Sequence, residues 1–199
     1  MRRSWAAAVL TASAVLAAGC GVQATPTVTT VPSAVPSTAR AITGPDCLAP
    51  QVLADLGFDP GDTAERGSGS VHADAPEAGP VPEDFVPVLV VECGTGELLT
   101  DEDGQWEAVT ATRREGDLAP LVQALSGDAT AAPEADCAAD IRRTELWLVD
   151  SMGDAVRAAA PGSACGRLPS RVRAELDRLD AVDVEAYPVR LAVPRGAEG

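Results

Sequence analysis

Residues 86–93, reading VPVLVVEC, narrow the fold more than any other stretch of this chain. They are β-branched and almost wholly apolar, a pattern that fits a buried strand. Residues 106–113 alternate apolar and polar and fit a second strand. Between them Asp103 and Gly104 form an Asp-Gly step, the turn chemistry of a hairpin, so the two strands are expected to pair antiparallel. A second hairpin is expected from residues 144–149 and 155–159, turning through Ser151, Met152, Gly153 and Asp154. A last strand, 182–193, contains Pro188, whose missing N–H confines it to a sheet edge or forces a break.

Helical spacing fills the gaps. Residues 46–57 carry Leu48, Val52 and Leu56 at four-residue steps, with Pro50 in the first turn and Gly57 as a stop. Asp117 can cap a helix whose Leu118, Leu121, Val122 and Leu125 share one face, with Gly127 as its stop. Residues 170–179 turn Val172, Leu176 and Leu179 to one side and charged residues to the other. The expectation is a single small α+β domain: a mainly antiparallel sheet covered on one face by about three helices, with a degenerate hairpin-then-helix repeat. Residues 59–84, polar and rich in Pro and Gly, read as a mobile loop within it.

The chain before residue 45 has a different character. Residues 21–43 repeat Thr, Val, Pro, Ser and Ala, with Pro26, Pro32 and Pro36 spaced along them and Arg40 as the only charge. Such a segment has too little apolar mass to offset the entropy of ordering, and its prolines favour extended conformations. Residues 20–44 are therefore expected to be a tether, of which residues 21–43 alone could span roughly 70 Å when extended, and residues 45–199 the domain. At the very start, Arg2 and Arg3 precede an uncharged run, 5–18, that is too short to cross a bilayer comfortably and fits a secretory signal.

That run ends in Leu16-Ala17-Ala18-Gly19-Cys20, which resembles the lipobox of bacterial lipoproteins. The large aliphatic residue stands at Leu16, one place further from the cysteine than is usual. The resemblance implies cleavage after residue 19, lipidation of Cys20 with palmitate-type chains, and residence on the extracytoplasmic face of the cell membrane. The absence of lysine, with all 15 basic residues arginine, looks like actinobacterial coding.

Charge removes several functions. The whole chain carries −15, and losing residues 1–19 takes away two arginines and no acid, leaving −17. A surface so acidic repels phosphate backbones, so no nucleic-acid partner is expected. It also disfavours anionic headgroups, leaving the lipid on Cys20 as the membrane attachment.

No catalytic, cofactor or metal site is expected either. His72 is the only histidine, stands in the polar loop and reads as solvated, and no lysine is present for a Ser-Lys dyad or a Schiff base. Asp101, Glu102 and Asp103 with Gly104 invite a calcium reading, but an EF-hand register would place Leu99 and Thr110 where carboxylates are required. Trp106 and Trp147 lie in expected strands and read as core. The four cysteines beyond Cys20, namely Cys47, Cys93, Cys137 and Cys165, are even in number in an exported chain, and two disulfides are expected. The favoured pairing is Cys47 with Cys93 and Cys137 with Cys165. The expected function is a non-enzymatic, membrane-anchored envelope module that binds a partner protein or small ligand. The alternative is a cell-wall or secreted-substrate hydrolase working through Asp or Glu carboxylates.

Overall fold

The structure, a computed structural model, describes residues 38–59, 72–127, 142–162 and 165–196. Cys20, Cys137, the expected signal segment and most of the expected tether lie outside them. The described residues form six strands and three helices. In chain order these are β1 (Ile42–Thr43), α1 (Pro50–Leu56), β2 (Pro87–Thr100), β3 (Gly104–Glu115) and α2 (Ala119–Leu125). β4 (Thr144–Asp150), β5 (Asp154–Ala158), α3 (Ser170–Leu176) and β6 (Asp180–Pro194) follow. All six strands belong to one sheet, in the order β1-β5-β4-β2-β3-β6, with every neighbouring pair antiparallel.

Both expected hairpins are present, and their first strands, β2 and β4, lie side by side at the centre. The strand order therefore mirrors itself about the β2–β4 pair: β3 and β5 flank it, and β6 and β1 take the two edges. The hairpin-then-helix repeat is realised in this arrangement, since α2 follows β3 and α3 follows β5.

The sheet is covered on both faces, not on one. Successive residues of β4 go to opposite sides: Leu146 and Leu148 pack with Leu121, Leu125, Val172 and Leu176 of α2 and α3. Trp147 and Val149 pack with Val52, Leu53 and Leu56 of α1. Val90 and Val91 of β2 divide in the same way. Leu89, Val90 and Val91 read as continuously apolar because both faces of the strand are covered there, whereas Val86 and Val88, expected to be buried with them, are 73% and 46% exposed. Trp106 and Trp147 are buried, as expected.

Local chemistry sets the element ends. Pro50 opens α1, and Gly57, at φ 92°, closes it in the left-handed region. The Gly57 N–H donates to the Ala54 carbonyl at 3.0 Å and the Phe58 N–H to Leu53 at 2.9 Å, a Schellman closure that also carries Phe58 back onto the core. Asp117 Oδ1 accepts from the Ala119 N–H at 3.1 Å before α2, which ends at Ser126, one residue short of the expected Gly127. Pro188 lies on the edge strand, where the register to β3 skips Val189; that side chain is 1% exposed and packs into the α1-side core.

Two segments outside the expected elements also join the fold. Ile42, within the stretch read as tether, pairs with Ala155 as part of β1, and the Ala39 N–H donates to the Pro80 carbonyl at 3.0 Å. Of the loop read at 59–84, residues 60–71 lie outside the described residues, while residues 72–84 run across the domain. There the Ala75 N–H donates to Gln51 Oε1 at 2.7 Å, and Gly79 bridges Ala158. Cys47 and Cys93 are joined, as the favoured pairing has it, linking the turn before α1 to β2. Cys165 is likewise disulfide-bonded; Cys137, its expected partner, lies outside the described residues.

Candidate functional site

On the α2–α3 side, the two helices cover β5, β4 and the near part of β2 and leave β3 open, and a cleft of about 650 Å³ lies in the angle. Its lining includes five arginines: Arg114 of β3, Arg142 and Arg143 before β4, Arg167, and Arg173 of α3. Two glutamates, Glu92 and Glu97, are the acids of the lining. A chain with a net charge of −15 thus turns a surplus of positive charge toward one hollow.

The floor is a clasp. Glu92, on the β2 face that looks toward α3, accepts from Arg114 Nε at 3.0 Å through one oxygen and from Arg173 Nη1 at 2.6 Å through the other. Arg173 Nη2 also donates to Thr144 Oγ1 at 3.3 Å. The Glu92 side chain is 12% exposed, so these charge-assisted bonds are partly shielded and fix the two guanidiniums in place. Arg173 also lies 3.8 Å from the exposed Asp177, outside the lining, so Glu92 is the one acid of this clasp that faces the cleft.

The rim is less constrained. Arg142 and Arg167 have no hydrogen-bond or ion-pair partner for their guanidiniums among the described residues. Arg143 is steadied by its backbone N–H on Thr95 Oγ1 at 3.1 Å and by Nη1 on the Asp55 carbonyl at 3.5 Å. Bare backbone makes room for this pair of neighbours. A Cβ at Gly96 would lie 3.1 Å from Arg142 Nε, and one at Gly166 would lie 3.0 Å from Arg143 Cγ. Both glycines hold positive φ, 102° and 71°, which other residues rarely adopt.

Other polar clusters serve the fold. Arg157, with a side chain 2% exposed, pairs with Asp55 of α1 and, at 2.8 Å, with Glu145 of β4. It also donates to the Pro76 carbonyl at 3.4 Å, so one buried cation ties α1, the 72–84 segment and the sheet together. Burial pushes the Glu145 carboxyl above its ordinary value, with Arg157 opposing that rise. His72, read as solvated, is half-buried instead, with Nδ1 2.8 Å from Asp46 Oδ2. Asp46 Oδ1 also accepts from the Leu48 N–H at 2.9 Å, so the pair secures the entry to α1. The acidic run at 101–103 closes the β2–β3 hairpin: Asp101 Oδ1 accepts from the Asp103 N–H and from Trp106 Nε1, both at 2.9 Å.

The arginine cleft was not among the sequence expectations. Its members are scattered from Arg114 to Arg173, and each by itself reads as an ordinary solvated cation. Two adjacent pairs, Arg113-Arg114 and Arg142-Arg143, in a chain so poor in positive charge were the available signal. No family model, curated protein or solved structure matches the chain. Among the described residues no helix is long and apolar enough to cross a membrane.

Proposed function

We propose that this chain is a lipoprotein, anchored to the cell membrane through lipid on Cys20, whose extracytoplasmic domain is a non-enzymatic module binding an acidic small ligand in the arginine cleft. The observation that carries the binding role is the convergence of five arginines on one hollow of a strongly acidic chain, with Arg142 and Arg167 unpaired at its rim among the described residues. Guanidiniums held in fixed positions recognise carboxylate or phosphate by paired N–H donors, and the floor clasp supplies that fixity in advance. Glu92 is the carboxylate most deeply set in the cleft, and both its oxygens are engaged by arginines, which favours binding over acid–base chemistry. The Cys47–Cys93 bridge agrees with an oxidising compartment outside the cytoplasm.

Two measurements test the two halves of the reading. Fatty-acid labelling of the expressed protein is expected to be lost in Cys20→Ala, and an unchanged label would remove the anchor. Equilibrium dialysis of the full chain at low salt against a radiolabelled di- or tricarboxylate and against phosphate esters is expected to show saturable binding. That binding should weaken about tenfold or more in Arg142→Ala combined with Arg167→Ala. Binding unaffected by that double substitution would remove the cleft from the function.

A further inference from the structure

Resting on the acidic-ligand reading, we propose that the occupant of the cleft is a phosphorylated polyol: one phosphate group joined to a body of several hydroxyls. The lining excludes most other acids. Ligand pockets are usually apolar with a few polar groups. Among the described residues Leu168 is the one large apolar side chain of the lining, and none of them brings an aromatic ring. An acyl chain would find one large apolar side chain to bury against, and a base or aryl ring no aromatic partner among the described lining residues.

Hydroxyl groups fill the space between the charges. Thr110 and Thr112 stand two residues apart on β3, on the same face as Glu92 and about 7 Å apart along the strand. Thr144 and Ser170 face them from the β4 and α3 side. A hydroxyl both donates and accepts, so such a wall suits a ligand that does the same at several points.

The two glutamates decide between one anionic group and many. A polycarboxylate or polyphosphate filling the cleft would bring negative groups against Glu92 and Glu97 as well as against the arginines. A monophosphate ester avoids that conflict: its phosphate takes the rim arginines, and its hydroxyls can donate to the carboxylates. Guanidinium forks match a phosphate as they match a carboxylate, but only the ester also uses the hydroxyl wall and the acids. The same chemistry occurs on a free phosphorylated polyol and on the headgroup of a polyol phospholipid, and the two sources are separable by experiment.

The test uses the full chain purified in neutral detergent and calorimetric titration at low salt. Inositol 1-phosphate is expected to bind about tenfold or more tightly than inorganic phosphate, inositol or citrate. Arg142→Ala with Arg167→Ala should weaken the ester by about tenfold, whereas Arg178→Ala, which removes one exposed arginine from the turn after α3, should not reproduce that loss. Thr110→Val with Thr112→Val should weaken the ester more than it weakens inorganic phosphate. Capture by phosphatidylinositol vesicles, competed by the soluble ester, assigns the lipid source; soluble binding without capture assigns the free ester. Citrate binding as tightly as the ester would overturn the polyol assignment and leave the acidic-ligand reading standing. Failure of every anion to bind would overturn both.

Discussion

Glu92 of β2 and Arg173 of α3 meet at 2.6 Å, and this contact joins the floor of the cleft to the helix that walls it. Removing the acid leaves Arg114 without its carboxylate and Arg173 with only the exposed Asp177, 3.8 Å away. Glu92→Ala is therefore expected to lower stability by about 1–3 kcal/mol while tightening the binding of simple anions at low salt. Urea denaturation and phosphate titration on the same protein check both signs. A variant that loses stability without gaining anion affinity would show that the clasp does not govern the charge of the cleft.

Cys47 and Cys93 are 46 residues apart in sequence. Closing a loop of that size restricts the unfolded chain enough to stabilise the fold by about 4 kcal/mol on chain-entropy reasoning. Replacing both by alanine should shift the urea midpoint strongly downward. Non-reducing peptide mapping of the parent is expected to give Cys47–Cys93, and Cys165 joined to Cys137. A Cys93–Cys137 peptide would contradict the structure directly.

Glu145 has its carboxyl raised above the ordinary 4.5 by burial, so the folded state prefers its neutral form more than the unfolded state does. Its contribution to stability therefore increases as pH falls through the raised folded value toward 4.5, and it is absent at higher pH. Glu145→Gln should flatten that part of the stability–pH curve. Denaturation midpoints of parent and variant between neutrality and pH 4.5 provide the comparison, and parallel curves would count against the assignment.

Gly104 opens β3 at φ 146°, and a Cβ there would lie 2.1 Å from the Val193 carbonyl oxygen of β6. Backbone cannot yield as a side-chain tip can. Gly104→Ala is expected to cost about 2–3 kcal/mol by prising apart the β3–β6 ladder at this end. Amide exchange should quicken along residues 190–193 more than along β4, and uniform protection across the sheet would refute the local mechanism.

The hairpins, the helix positions and the edge placement of Pro188 were legible because each rests on a local signal: apolar period, an Asp-Gly step, a missing N–H. The second covered face was not. Four-residue spacing in α1 says which side of that helix is apolar, but nothing in it says which face of the sheet that side will meet. The pairing of β6 with β3 is likewise a choice between two open edges that no residue in β6 announces. The cleft was hidden for the same kind of reason, because Arg114, Arg142, Arg167 and Arg173 come together only once α3 has packed on one face and left β3 open beside it.

β6 ends the sheet with 15 residues, while the opposite edge is closed by a β1 of two. So long an edge, with Val182 and Val184 largely exposed, is the kind of template on which neighbouring molecules join strand to strand. The same stretch carries Asp180, Asp183 and Glu185, so two copies zipping their β6 edges together would crowd carboxylates along a shared seam. The acids that make the whole chain so negative thus also act as a guard against self-assembly, and neutralising these three would expose the protein to aggregation before it touched the stability of the fold.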